Sequence, residues 1–433
     1  MLMDEVLTGD RSIFDSIKPR LGEIADYLRG NSTSLKQSYA AIFLSILTGI
    51  LAGVFLSNAE EQLRMLPGLV VLVPAALGMR GNIFAALGSR LGSAFHMGTI
   101  SRFDRKNLVI RNNIYASMAL TVVFSVFLGI IAKAVLFAFG FESISVIDLI
   151  LISFIGGIAS GVILLFITIA IAFISFRKNW DPDNVTSPMI TALGDFFTVP
   201  TLMLAAFIVV NSHVSSNLSV FIIALGIALL VVLDVFLVES KDESKRLKEA
   251  SYRHIVLQSS FILAFTLFID SLSGVLIQLN LSVLVAVPVL LVMLPAFLEE
   301  GGNVGNIMAA RLATKLHIGS VEPRLTFSKD IKLEFLNSYL LAVLIFLTVG
   351  IVTFVFSSLT GIGGMGLAQI MYVTMAAGLI LTTIVVFLTF FVSVLSFRMN
   401  IDPDNTTIPI ITSVADVIGV LCLLFVVHLL GIA

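Results

Sequence analysis

The sequence predicts an all-α integral membrane protein with about 11 transmembrane helices. Of its 433 residues, 58% are hydrophobic and 12% are charged, and the mean hydropathy is +1.06. Soluble domains carry about 25% charged residues. Apolar runs of about 18 residues or more recur along most of the chain, which is typical of helical spans and not of β-barrel strands. The apolar pattern also occurs twice, at an offset of 221 residues.

Charge and cysteine content exclude several other kinds of protein. The net charge of −2 gives no bulk attraction to nucleic acid. The single cysteine, Cys422, excludes an intramolecular disulfide and a cysteine-cluster metal site. Residues 1–36 lack the short apolar core of a signal peptide, so the first span is expected to act as an uncleaved insertion signal. This cytosolic segment is expected to form an amphipathic helix on the membrane surface or a solvated tail packed on the cytosolic face.

The spans fall into two repeats of five with one span between them. The first repeat is assigned to residues 37–211, the linker span and a cytosolic loop to 212–257, and the second repeat to 258–433. The predicted spans are 38–57, 66–95, 108–139, 146–174 and 185–211, then 218–238, and then 258–278, 283–316, 335–357, 367–395 and 406–430.

The linker span sets the relation between the repeats. Five spans are an odd number, so repeats fused directly would point in opposite directions, whereas a sixth span restores the orientation. The repeats are therefore expected to be parallel and related by a pseudo-two-fold axis along the membrane normal. Most Lys and Arg residues outside the spans fall in segments on the same side of the membrane as the N-terminus, whereas the loops on the other side contain essentially Arg64 alone. This pattern predicts a multi-pass protein of a cell membrane with its N-terminus in the cytosol and its C-terminus outside.

The most strongly repeated stretch covers residues 175–199 and 396–420, where 14 of 25 aligned positions are identical. Each copy ends a span, makes a polar turn with the letters DPDN, and begins the fifth span. One Asp or Asn would be enough to cap the helix that follows. Two carboxylates and an amide in each turn exceed that need, so the turns are either structural or an acidic vestibule for cations. The candidate vestibule residues are Asp183, Asn184, Asp404 and Asn405.

Each fifth span carries one carboxylate, Asp195 or Asp416. Asp195 lies about ten residues, or roughly 15 Å, into its helix, near the middle of a bilayer core. Thr191 shares its helix face, as Thr412 shares that of Asp416. An ionisable group in an apolar span is by default a functional-site hypothesis. The two aspartates are expected to meet on the axis around a cation; the alternative is that each is hydrogen-bonded within its own repeat.

The second span of each repeat carries proline, glycine and asparagine. The stretch from Pro74 to Asn82 aligns with that from Pro295 to Asn303. Such residues predict a broken helix lining a water-filled path, where Asn82 and Asn303 would offer carbonyl oxygens. Two acids of the second repeat, Glu299 and Glu300, have no acidic counterpart in the first, so the halves differ here. A further lone acid, Asp270, is expected at the outer entrance.

All candidate ligands are oxygen atoms of Asp, Asn, Thr and backbone groups. Hard divalent cations prefer this set, and Mg²⁺ in particular keeps several waters and uses one or two carboxylates. The residue types alone do not exclude Ca²⁺, Mn²⁺ or Na⁺.

The duplicated P-x-x-L-x-x-x-G-N…R-L and D-P-D-N-x-T-x-P-x-x-T-x-x-x-D stretches resemble the MgtE-type magnesium transporters, above all the solute carrier 41 family. The resemblance implies Mg²⁺ transport along an axis, with Asp195 and Asp416 as central ligands. It also implies a fused chain that works as a monomer and mimics the homodimer of MgtE proteins. MgtE proteins often have Asn and Ala where this chain has Ser187 or Ile408 and Thr191 or Thr412, so the ion site is expected to differ in detail.

Two alternatives stay open at this stage. One is exchange of Mg²⁺ coupled to Na⁺, which would require a separate Na⁺ site. The other is an intramembrane aspartyl protease, which also needs two mid-membrane aspartates. The protease motif G-x-G-D is replaced here by the stretches ending at Asp195 and Asp416, with letters ALGD and SVAD. A transporter without enzymatic activity is therefore the expectation.

Overall fold

The computed structural model describes residues 32–96, 100, 107–178, 187–211, 226, 252–399 and 403–431, and its regular secondary structure is entirely α-helical. The helices, in chain order, are α1 (Ser32–Asn58), α2 (Glu60–Met65), α3 (Leu69–His96), α4 (Leu108–Ala138), α5 (Val146–Arg177), α6 (Ser187–Asn211), α7 (Tyr252–Leu279), α8 (Leu281–Ala286), α9 (Val289–Ile318), α10 (Lys329–Thr360), α11 (Leu367–Arg398) and α12 (Pro403–Leu429).

Eight of the described helices, α3 to α7 and α10 to α12, are long and apolar enough to cross a membrane. The apolar part of α1, Ile42–Asn58, is shorter, and the middle of α9 carries acids and asparagines. The prediction of an all-α integral membrane protein is thus confirmed. Ten predicted spans each coincide with a helix, whereas the linker span 218–238 lies outside the described residues except for Gly226, as does segment 1–31. The number of 11 spans stays a prediction.

Helix ends follow local chemistry. The side chain of Asn107 accepts a hydrogen bond of 2.9 Å from the backbone N–H of Val109 and so caps α4. Ser145 caps α5 in the same way, with 3.1 Å to the N–H of Asp148. At the other end, Gly319 terminates α9 with a φ of 78°, a left-handed conformation that glycine adopts without strain.

The predicted breaks at Pro74 and Pro295 are wrong. Both prolines lie inside continuous helices, α3 and α9, within the first two turns. Each proline removes one hydrogen bond to the carbonyl four residues earlier, and neighbouring helices compensate for such a loss within a membrane. The chain turns six residues before Pro74, at Gly68, where φ is 89°.

The two halves of the chain, residues 32–211 and 252–431, interlock through their first helices. Helix α1 packs along α9 of the other half, and α7 packs along α3. Gly53 of α1 lies directly against the backbone carbonyl of Val292, and Gly274 of α7 lies against Val71, where a Cβ atom would be 2.7 Å from the Cα atom. Side chains larger than hydrogen would separate these helix pairs.

The fifth helix of each half lies beside this interlocked region. Helix α6 contacts α1, α3 and α5, and α12 contacts α7, α9 and α11. Helix α12 also contacts α3 of the first half, and α6 lies on α1 and α3, which are themselves packed against α9 and α7 of the second half.

An ion pair ties α9 to α10 near their connecting turn. The buried carboxylate of Glu334 lies 2.8 Å from Nζ of Lys315 and 3.8 Å from Nη1 of Arg311. At the corresponding place of the first half, Nε of Arg90 donates a 2.6 Å hydrogen bond to Oδ1 of Asn113. The second half thus uses charge where the first uses a neutral amide.

We expect Glu334→Gln to lower the melting temperature of the purified protein, because the two partly buried cations lose their partner, at a cost of about 1–3 kcal/mol. The change is measured by fluorescence-detected thermal unfolding in detergent. Glu322→Gln is the matched control, since its pair with Arg324 is 3.4 Å long and largely exposed. Equal melting temperatures for the two variants would show that the Glu334 pair contributes no stability.

Candidate cation-binding site

The two aspartates singled out by the repeat lie in the middle of α6 and α12, and both are buried. Their side chains are 5% exposed for Asp195 and 8% for Asp416. The two carboxyl groups are close enough to repel one another. Two acids that are 221 positions apart in the sequence thus both lie in the buried interior.

Helix α9 adds two more acids beside Asp195. The carboxyl group of Glu299 lies next to that of Asp195 and beside the hydroxyl of Ser45 on α1. Neither carboxyl oxygen of Glu299 has a hydrogen bond of good geometry. Glu300 is fully buried and accepts a 3.3 Å hydrogen bond from Nδ2 of Asn303. Alignment of the two repeats indicated that Glu299 and Glu300 occur only in the second half. It did not predict that they lie beside Asp195.

Helix α7 adds the fifth acid, Asp270, beside Asp416. The expectation of an outer-entrance position is wrong, because Asp270 is fully buried and its carboxyl group faces Asp416 and the hydroxyl of Ser413. One turn along α7, the hydroxyl of Ser273 donates to the backbone carbonyl of Asp416 at 3.3 Å. Both carboxyl oxygens of Asp270 lack a hydrogen-bond partner.

We call these five side chains the acidic cluster: Asp195, Asp270, Glu299, Glu300 and Asp416. Within the described part of the chain, no Lys, Arg or His forms an ion pair with any of them. The described residues also contain no group of three His, Cys, Asp or Glu side chains placed to hold a metal ion directly. Buried carboxylates without a cationic partner are costly in a membrane, so the acidic cluster is suited to a mobile cation.

The fully buried arginine of α3 does not neutralise the acidic cluster. Arg80 of α3 is 1% exposed, but its Nε donates to Ser160 at 3.0 Å and its Nη2 to Ser125 at 3.1 Å. These serines belong to α4 and α5. Gly157 makes room for the guanidinium group. The charge of Arg80 is therefore directed into the first half's own bundle.

The predicted asparagine and threonine ligands lie on the helices around the acidic cluster. Nδ2 of Asn82 donates to Thr266 on α7 at 3.3 Å. The hydroxyl of Thr412 pairs with the amide of Asn306, a residue that sequence reasoning missed, at 2.9 Å. Thr191 lies against Gly81 of α3, and Thr412 occupies the matching position against Gly302 of α9.

The DPDN turns lie mostly outside the described residues. Asp183 and Asn184 belong to the segment 179–186, which is not described. Asp404 and Asn405 fall in the first turn of α12, but their side chains lie outside the described part of the structure. The acidic vestibule stays a prediction.

Comparison with known proteins supplies the family. The MgtE family model, described as a divalent cation transporter, matches residues 73–205 and 294–426. The two matched segments start 221 residues apart, at the offset seen in the sequence. There is no significant match among solved structures.

Curated relatives carry the same family name. Solute carrier family 41 member 3 of Rattus norvegicus is 24% identical over 407 residues, which are 87% of this chain and 83% of the relative. Member 2 of Xenopus laevis is 27% identical over 341 residues, 73% of this chain and 56% of the relative. Member 2 of Homo sapiens is 25% identical over 339 residues, 74% and 55% of the two chains. The aligned part is thus about half the length of these member 2 relatives.

The family match decides between the two classes of function that two buried aspartates allowed. MgtE proteins are transporters and not enzymes, which excludes the aspartyl protease alternative. Eight described helices suited to membrane crossing agree with a transporter. Since the family model covers more than half of the sequence, this chain belongs to the MgtE family of divalent cation transporters and is a multi-pass membrane protein.

Proposed function

We propose that the protein transports Mg²⁺ across a cell membrane through an axial pathway between two fused repeats, with a hydrated ion held between Asp195 and Asp416. The observation that carries the proposal is that these two carboxyl groups are both buried, interact electrostatically and have no cationic partner among the described residues. A divalent cation between them would relieve their repulsion, and Mg²⁺ uses one or two carboxylates while keeping several waters.

Matching contacts at one offset support two repeats around a common axis. The short helices α2 and α8 begin 221 residues apart. Gly53 and Gly274, which each contact a helix backbone of the other half, are separated by the same offset. We assign the repeats to residues 37–211 and 258–433, parallel to one another through a linker span in 212–257. In this arrangement one chain supplies both sides of the pathway and functions as a monomer.

Polar residues along α3, α6, α9 and α12 would complete the ion's surroundings. Asn82, Asn303, Thr191 and Thr412 provide oxygen atoms near the acidic cluster. The DPDN residues Asp183, Asn184, Asp404 and Asn405 would form the cytosolic mouth, where carboxylates raise the local concentration of cations.

We expect Asp195→Asn and Asp416→Asn each to reduce Mg²⁺ influx into proteoliposomes roughly tenfold or more, since about 1.4 kcal/mol of lost ion stabilisation suffices for that factor. The influx is followed with a Mg²⁺-sensitive dye inside the vesicles. Asp330→Asn, at the first turn of α10 and outside the acidic cluster, is the matched control. Undiminished influx in both fifth-helix variants would exclude the axial aspartate pair.

The same vesicles distinguish a channel from an exchanger. A pathway through the axis requires no second ion, so influx is expected to be the same with and without a Na⁺ gradient. If Mg²⁺ influx occurs only when Na⁺ can flow in the opposite direction, the protein is a Na⁺-coupled exchanger and not an open pathway. Mg²⁺ would still be the transported ion.

We place the N-terminus in the cytosol and the C-terminus outside. In a Cys422→Ser background, which lacks native cysteine, Gly363→Cys is expected to react with a membrane-impermeant maleimide added to intact cells. Ser320→Cys is expected to react only after permeabilisation. Both positions are exposed and lie between helices at opposite ends of α10. The reverse labelling pattern would invert the topology.

A further inference from the structure

Three acids of the acidic cluster, Asp270, Glu299 and Glu300, have no acidic counterpart at the repeat offset, and two of them align with glycines. Asp270 of α7 aligns with Gly49 of α1, and Glu299 of α9 aligns with Gly78 of α3. Beside Asp416, the additional acid is on α7 and the alternative position on α3 is a glycine. Beside Asp195, the additional acid is on α9 and the alternative position on α1 is a glycine.

The position of Asp270 explains why its helix, α7, carries the acid and the alternative position on α3 is a glycine. Its Oδ2 atom occupies the space that a Cβ atom on Gly78 would fill. Gly78 is the counterpart of Glu299, so the carboxyl group of Asp270 reaches from α7 into the place where a side chain at position 78 would begin. The two positions are thus alternative anchoring points for one carboxyl group.

Around Asp195 the same exchange is blocked by the backbone. A Cβ atom on Gly49 would lie 2.8 Å from the Cα atom of Ala296, which cannot move without separating α1 from α9. An acid at position 49 does not fit there, and Glu299 of α9 supplies the carboxyl group instead. Steric exclusion accounts for which helix carries the additional acid beside each fifth-helix aspartate.

Both additional acids are directed into the acidic cluster, and neither has a hydrogen bond of good geometry or an ion pair among the described residues. Asp270 is 0% exposed and Glu299 is 8% exposed. All four of their carboxyl oxygens lack a hydrogen-bond partner. Asp270 faces Asp416 and Ser413, and Glu299 faces Asp195 and Ser45. Unsatisfied buried carboxylates of this kind indicate a ligand that supplies positive charge.

We propose that the acidic cluster contains two divalent-cation subsites, one formed by Asp270, Asp416 and Ser413 and the other by Asp195, Glu299 and Ser45, with Glu300 in neither. The inference rests on the proposed transport of divalent cations and refines the single axial ion to two ions, one at each fifth-helix aspartate. Each pair of carboxylates balances the charge of one divalent ion. Repulsion between ions at neighbouring subsites favours release, as conduction requires.

The test measures Mn²⁺ binding to the purified, detergent-solubilised protein by electron paramagnetic resonance, with Mn²⁺ as a probe that prefers the same oxygen ligands. The wild-type chain is expected to bind two Mn²⁺ ions. Asp270→Asn, which keeps the side chain's size, is expected to weaken one of them roughly tenfold or more and to leave the other unchanged. Glu322→Gln, in an exposed ion pair, is the control and is expected to bind as the wild type does.

Relocating the acid makes the test specific to the space shared by Asp270 and Gly78. Asp270→Gly is expected to lose one subsite, and Gly78→Glu alone is expected to crowd Asp270 and weaken the same subsite. The double variant, D270G with G78E, gives Asp416 the same surroundings as Asp195, with a glycine on one neighbouring helix and a glutamate on the other. It is expected to restore two bound ions. Size-exclusion profiles check that each variant is folded.

A wild-type chain that binds only one Mn²⁺ ion, or an Asp270→Asn variant that binds two ions with unchanged affinity, would overturn the two subsites. Either result leaves the proposed function intact if Mg²⁺ influx still depends on Asp195 and Asp416. Absence of Mg²⁺ influx in the wild type would overturn the proposed function itself. The two failures are therefore distinguishable.

Discussion

The close approach of helix backbones between the two halves is the constraint on which the site depends. Gly53 against Val292 and Gly274 against Val71 let α1 and α7 each pack on a helix of the other half. Helix α6 lies on α1 and α3, and α12 lies on α7 and α9, so both fifth helices border this region of contact between the halves. Two glycine positions without a Cβ atom thus permit the contact beside which the acids lie.

Electrostatics then gives the interlocked core its chemical character. Five carboxyl groups are collected among apolar helices, while the nearby guanidinium group of Arg80 is turned towards serines of α4 and α5. Because a membrane interior offers little water, these groups remain costly unless a cation or a proton accompanies them. The stability that this arrangement gives up locally is regained by the apolar packing of α1, α3, α7 and α9 around it.

Sequence reasoning predicted the features that repeat and missed those that do not. The apolar periodicity predicted the helices, and the offset of 221 singled out Asp195 and Asp416, both of which are buried. It gave the wrong place for Asp270 because depth within a helix says nothing about which helix lies opposite. It also predicted breaks at Pro74 and Pro295, since the pattern does not show that the bend falls at Gly68. Contacts across the halves, such as Asn306 with Thr412, need the fold itself.

The surroundings of Asp195 and Asp416 therefore agree in containing a second carboxyl group and differ in which helix provides it. The backbone contacts at Gly53 and Gly274 match at the repeat offset. Asp270 and Glu299, in contrast, align with glycines of the other repeat. A duplicated backbone offers two anchoring points near each fifth-helix aspartate, and steric exclusion allows only one of them to be filled. Symmetry of charge is thus maintained without symmetry of sequence, which is why alignment of the repeats alone does not reveal it.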